Sequence, residues 1–219
     1  MDYIKNFFLS RFKIFALVSV SMLFSIVLLM IRMKLTHSFF YLFLVWNLFL
    51  AIIPFAMTTY LVSLPKLNKF VLAFWFSVWL LFLPNAPYIV TDLLHLKISI
   101  THVLWLDVLV ILNFALSGLL LFYLSINDMK TILLTFLSKR KANYIETIII
   151  FLSAFGIYLG RFLRYNSWEI LSNPQYLLAD IGNMVLTPFA YQDAWLFTII
   201  FGTFLWIGNF TWNTLKFKA

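Results

Sequence analysis

The sequence predicts an all-α protein, a polytopic transmembrane helical bundle of about six spans, and three observations carry that prediction. Of 219 residues, 63% are hydrophobic and only 11% are charged, with a mean hydropathy of +0.97. Soluble domains are about half apolar and about a quarter charged, so lipid must solvate most of this chain. Its apolar residues fall into six long runs, and Lys and Arg collect at the run ends. The 26 Phe and 8 Trp suit lipid-facing surfaces and interfacial belts. The absence of cysteine excludes disulfides, thiolate metal sites and cysteine nucleophiles.

The first span covers about residues 14–31, behind Lys5, Arg11 and Lys13. A basic flank before an apolar run also describes a signal peptide. This run is long for one, and Arg32-Met33-Lys34 follows without a small-x-small cleavage pattern, so an uncleaved span is expected. The second span, 39–62, contains Pro54, which removes a backbone donor and kinks a membrane helix tolerably. The third run, Phe70–Leu83, is 14 residues. At about 1.5 Å per residue it reaches about 21 Å, short of the roughly 30 Å hydrocarbon core. Either its helix starts near Pro65, giving a span of 66–83 with snorkelling lysines, or Pro84–Pro87 lies below the membrane surface. In the second case, protein or water must cover the irregular backbone.

The break itself, Leu83–Leu96, reads LPNAPYIVTDLLHL and is expected to be an interfacial or re-entrant segment. The fourth span, 103–126, carries Asp107, Asn113, Ser117 and Gly118. A basic loop leads to the fifth, 145–163. A long polar connection from about Arg164 to Asp193 precedes the sixth, 194–215. No repeat, low-complexity tract or soluble domain interrupts the pattern. The expectation is a single transmembrane domain over 1–219.

Six spans put both termini on one side. Eleven of the 16 Lys and Arg fall there with three acids, and the remaining five share the other side with five acids. The whole net charge of +8 therefore belongs to one face. The positive-inside bias makes that face, and both termini, cytoplasmic. Topology and anionic lipid heads account for the charge, so no nucleic-acid partner is required. In this cysteine-free chain, Ser172→Cys should react with an impermeant thiol reagent in intact cells. Labelling only in broken cells would reverse the sides.

The same map gathers the chemistry-bearing residues on the outer side. Asp107 lies about one turn inside the fourth span. A carboxylate at the bilayer centre costs about 2.5–3.5 kcal/mol, less near the interface, so it needs a partner facing the bundle. Arg161, at a similar depth on the fifth span, is the natural one. Such a pair either holds or protonates a substrate, or simply fixes two helices. Asp92 and His95, three apart, would share a helical face as an acid/base pair or two metal ligands. His102 is the nearest third ligand, but the break before Thr101 disfavours a common face. No metal or other cofactor is expected.

The segment GRFLRYNSWE, Gly160–Glu169, carries two guanidiniums among aromatic residues. If the helix continues outward, Arg161, Arg164 or Tyr165, and Trp168 lie on one face. Arginines bind oxyanions bidentately, which suits a phosphate, carboxylate or sugar phosphate. The plainer alternative is anchoring to lipid phosphates, with Trp168 in the aromatic belt. Asn113 with Ser117, and Asn209 with Asn213, read as interhelical hydrogen-bonding pairs, and Gly118 as a place of close approach.

Trp46-Asn47 ahead of Pro54, LPNAPYIVTDLLHL and GRFLRYNSWE together resemble the DUF1361 family of uncharacterised bacterial integral membrane proteins. The resemblance runs from about Trp46 to the last span. The family's second motif usually ends in tryptophan-aspartate; Glu169 keeps the carboxylate on a longer arm. The resemblance implies the layout and a bacterial cytoplasmic membrane, and no activity, cofactor or catalytic residue. It does place Asn85, Asp92, His95, Arg161, Arg164 and Trp168 in motif positions.

Three functions follow as expectations. The first is a protein that recognises or moves an anionic lipid or envelope precursor at the outer leaflet, through Asn85, Arg161, Arg164, Trp168 and Glu169. There Asn85, Asp92 and His95 are expected to meet the two arginines. The second is a membrane enzyme on a lipid-linked substrate, with Asp92, His95 or Asp107 as acid or base. The third is a structural partner of a membrane complex. The lipid bilayer is the one partner common to all.

Overall fold

The structure, a computed structural model, describes residues 9–64, 67–98, 103–165, 172 and 174–216. Helices α1 (Phe12–Thr36), α2 (Phe43–Ser63), α3 (Lys69–Phe82) and the one-turn α4 (Asn85–Tyr88) come first. They are followed by α5 (Leu104–Leu134), α6 (Lys139–Arg161), α7 (Pro174–Leu186) and α8 (Gln192–Lys216). Short 3₁₀ stretches at Phe40–Leu42 and Pro188–Tyr191 lead into α2 and α8, and a longer one, Ile89–Ile98, follows α4. No strand occurs among the described residues. Six stretches are long and apolar enough to cross a membrane: Phe12–Thr36, Phe40–Ser63, Lys69–Lys97, Leu104–Leu134, Lys139–Arg161 and Pro188–Leu215. Their outer faces stay apolar, with Phe24, Phe49, Phe204 and Phe210 all exposed. The protein is a multi-pass membrane protein.

The chain forms two compact units, Met1–Ile132 and Leu133–Ala219. In the first, α1 and α5 run antiparallel and are joined at three levels. Arg11 donates two hydrogen bonds of 2.7 Å to the Asp128 carboxylate. Ser117 meets Ser21 at 2.6 Å and Ser25 at 3.2 Å. Arg32 pairs with Asp107 at 2.9 Å. Arg11 and Arg32 stand 21 positions apart, as do Asp107 and Asp128. At about 1.5 Å per residue that is about 31 Å, close to the roughly 30 Å thickness of a hydrocarbon core. One ion pair therefore sits near each edge of the apolar layer, where charge costs least. Each also joins residues that the charge map assigns to one side.

The third span is broken, and its position in depth follows from α5. Trp79, fully buried on α3, donates its indole N–H to Ser125 at 2.8 Å. Ser125 also meets Thr58 of α2 at 3.3 Å. Seven residues after Trp79, the carbonyl of Ala86 abuts Gly118, seven residues before Ser125. Gly118 lies midway between the two ion pairs, so α3 gives out at mid-depth and α4 begins there. Ala86 and Pro87 are buried in protein, which the second alternative for this run requires. The helix begins at Lys69, not near Pro65. The Pro84 and Pro87 nitrogens donate nothing, and the neighbouring amides bond locally, Ala86 to Leu83 O and Tyr88 to Pro84 O. The ten-residue 3₁₀ stretch then carries the chain outward. Runs beyond three or four residues are uncommon in this conformation and often mark functional or strained sites.

In the second unit α6 packs along α8. Asn209 donates to buried Glu146 at 3.0 Å, and Gly202 leaves room for the Phe151 ring. Phe155 stacks on Trp195 at 5.7 Å. The connection read as polar instead contains α7, whose Leu177 and Met184 are buried.

Candidate functional site

The end of the first unit marked by the Arg32–Asp107 pair also carries Asp92 and His95, and adds residues that spacing alone does not connect with them. Asp107 is fully buried, and Arg32 Nε donates to its Oδ1 at 2.9 Å. The Arg32 guanidinium also donates to the Ser38 carbonyl at 3.0 Å and lies 4.6 Å over the Tyr41 ring. The sequence makes Arg161 the natural partner of Asp107; the structure gives the carboxylate an ion pair with Arg32, from the first span, which spacing did not single out. An ion pair so enclosed suits orientation of α1 against α5 better than proton transfer. Arg32 ends its span at the depth of Asp107, a signal present in the sequence but shared with Arg161.

Asp92 lies on the 3₁₀ stretch and is 1% exposed. Its Oδ2 accepts 2.8 Å from Asn47 Nδ2 on α2. His95 Nδ1 stands 3.7 Å from Asp92 Oδ1 and 3.2 Å from the Asp92 carbonyl. The imidazole packs on Phe43 at 4.8 Å and keeps 28% of its side chain exposed. A sheltered carboxylate thus stands beside a histidine that reaches the surface, beyond direct hydrogen-bond distance at 3.7 Å, with the ring nitrogen engaged by the Asp92 carbonyl. Asn47 was readable only as an amide inside an apolar run. Asn85 starts α4 and is half-buried. His102 lies outside the described residues.

Arg161 and Arg164 belong to the second unit. A common face for them requires the helix to continue outward; the structure ends α6 at Arg161. Arg164 adopts a left-handed φ of 63°, and the Tyr165 amide reaches back to Leu159 O at 3.1 Å. The left-handed residue turns the chain off the helix axis and breaks the expected common face. Tyr165 Oη then donates to Asp180 of α7 at 2.8 Å. Arg164 is exposed and Arg161 half-buried. Trp168 and Glu169 lie outside the described residues.

Of the remaining expectations, Ser117 bridges two helices and Gly118 permits a backbone contact. Asn209 bridges α8 to α6. Asn113 instead donates to Leu109 O of its own helix at 2.9 Å, the common way an exposed amide satisfies itself. Among the described residues, no group of three or more His, Cys, Asp and Glu is gathered for a metal ion.

No curated protein and no solved structure matches the chain. A family profile described as "Protein of unknown function (DUF1361)" matches residues 46–207, well over half of the sequence. That match takes in the broken third span, the Asn47–Asp92–His95 group and the end of α6, and the chain belongs to the DUF1361 family.

Proposed function

We propose that this protein recognises, or moves, an anionic lipid or envelope precursor at the outer leaflet of a bacterial cytoplasmic membrane, acting as one membrane domain with both termini inside. The observation that carries the reading is Arg164, exposed at a left-handed backbone position. Glycine is the ordinary occupant of that position, and a side chain there costs about 1–2 kcal/mol. An arginine held where glycine would be more stable points to use of its guanidinium. Arg161 precedes it at the helix end, at the level of lipid headgroups, and a planar fork suits a phosphate.

Arg164→Gly tests this cleanly, because it favours the turn while deleting the charge. Expected are equal or higher thermal stability and weaker retention of phosphatidylglycerol in native mass spectrometry, with Arg161→Gln weakening it further. Undiminished lipid retention in both variants would dismiss the reading. The Asp92–His95 contact favours a second one, an enzyme on a lipid-linked substrate with Asp92 as base. Asp92→Ala should then abolish turnover of such a substrate in a folded protein, and unchanged turnover would remove Asp92 from that role.

A further inference from the structure

The long connection between the last two spans presents an apolar surface whose partner follows from where the chain holds it. Helix α7 divides into three arcs. Leu177 and Met184, seven positions apart, are buried against their own unit. One position further on, Leu178 and Val185 are 59% and 58% exposed, forming an apolar stripe along the helix. Gln175, Ala179 and Asn183, at four-residue spacing, are exposed on a third arc without a charge. At about 100° per residue these arcs lie roughly a third of a turn apart. The bond between Asp180 and Tyr165, together with that from Trp195 Nε1 to Met184 O at 3.2 Å, fixes the roll of the helix. Leu186, seven positions after Ala179, closes that third arc at the helix end, and Tyr176 borders it beside Asn183; both are exposed.

We propose that α7 lies in the headgroup–acyl boundary of the bilayer, with the Leu178–Val185 stripe in contact with lipid chains and the Gln175–Asn183 arc toward water. The helices on either side of it, α6 and α8, both cross the membrane, so the chain between them stays at one membrane surface. Further along the chain Phe189 is 87% exposed, and Leu196, Ile199 and Ile200 at the adjoining end of α8 are exposed as well. Those residues belong to a membrane span, and the occupant of their surface is lipid. Three arcs facing protein, lipid and water are what a helix lying along an interface needs. The proposal does not depend on the arginines and goes beyond headgroup recognition.

The cysteine-free chain permits a direct test. Leu178→Cys, Val185→Cys, Gln175→Cys and Asn183→Cys are each made singly in the full chain, labelled with a nitroxide and reconstituted in phosphatidylethanolamine–phosphatidylglycerol vesicles. Collision rates with oxygen, which concentrates in lipid, and with a water-soluble nickel chelate are then measured. The expected result is oxygen-dominated relaxation at positions 178 and 185 and nickel-dominated relaxation at 175 and 183. Nickel-dominated relaxation at all four would show a helix standing in water and overturn the proposal. Immobile labels at 178 and 185, shielded from both reagents, would show a protein partner on the stripe and overturn it equally.

Discussion

Asp107→Ala is expected to destabilise the protein by about 3–5 kcal/mol, because it strands the buried Arg32 charge. Both side chains are almost wholly enclosed, at 5% exposure for Arg32 and none for Asp107. The Ser38 carbonyl and the Tyr41 ring remain beside the guanidinium, but neither carries a compensating charge. Loss of one partner costs more than loss of the pair. Arg32→Met combined with Asp107→Leu should therefore recover much of the deficit, since apolar replacements of buried ion pairs are often neutral. Denaturation of purified protein in mixed micelles reads both effects. Wild-type stability in Asp107→Ala would show that the pair does not hold α1 to α5. The Arg11–Asp128 pair is a useful comparison: its arginine is 16% exposed, and water can solvate it when its partner is removed. Asp128→Ala should cost less.

Gly118→Val should be nearly as damaging by a different route. A Cβ at Gly118 would collide with the Ala86 carbonyl oxygen and stand 3.2 Å from Ile89 Cδ1. The obstruction is backbone, so no rotamer change relieves it. Overpacking of this kind costs about 1–3 kcal/mol, and more where backbone must move. The displaced element is the break in the third span, which carries Asp92 and His95 a few residues later. Gly118→Val should therefore lower stability and any activity that depends on Asp92 together. Gly182→Ala is the control, since nothing lies within 4 Å of a Cβ there. It should be neutral or stabilise α7 by about 0.4–1 kcal/mol. Equal stability of Gly118→Val and the wild type would mean that α4 does not pack on α5 as described.

The spans were legible because transfer into lipid depends on composition over some twenty residues, which a sequence displays directly. The break at Leu83–Leu96 was legible from Pro84, Pro87 and a preceding run too short to cross. Its depth was not, because either end of a short run can be the buried one. Only the contacts Trp79–Ser125 and Ala86–Gly118 place it against the middle of α5. The left-handed turn after Arg161 was hidden for a local reason: its left-handed residue is an arginine, so the usual glycine signal is missing. Helix α7 was hidden because half of its apolar arc is spread among polar residues in a connection.

Partner choice is where sequence stops. Asp107 declared that it needed a cation, and two arginines, Arg32 and Arg161, stood at its depth. In water, an apolar stripe would indicate which face of each helix turns inward. In lipid, apolar residues suit the outside as well as the inside, so helices such as α1 carry no stripe that selects a neighbour. The sequence by itself determined the membrane class, the spans and the polar residues that must find partners. The tertiary structure decided which helices supply those partners, because helix association in lipid rests on a few polar bonds and close contacts between residues far apart in the chain.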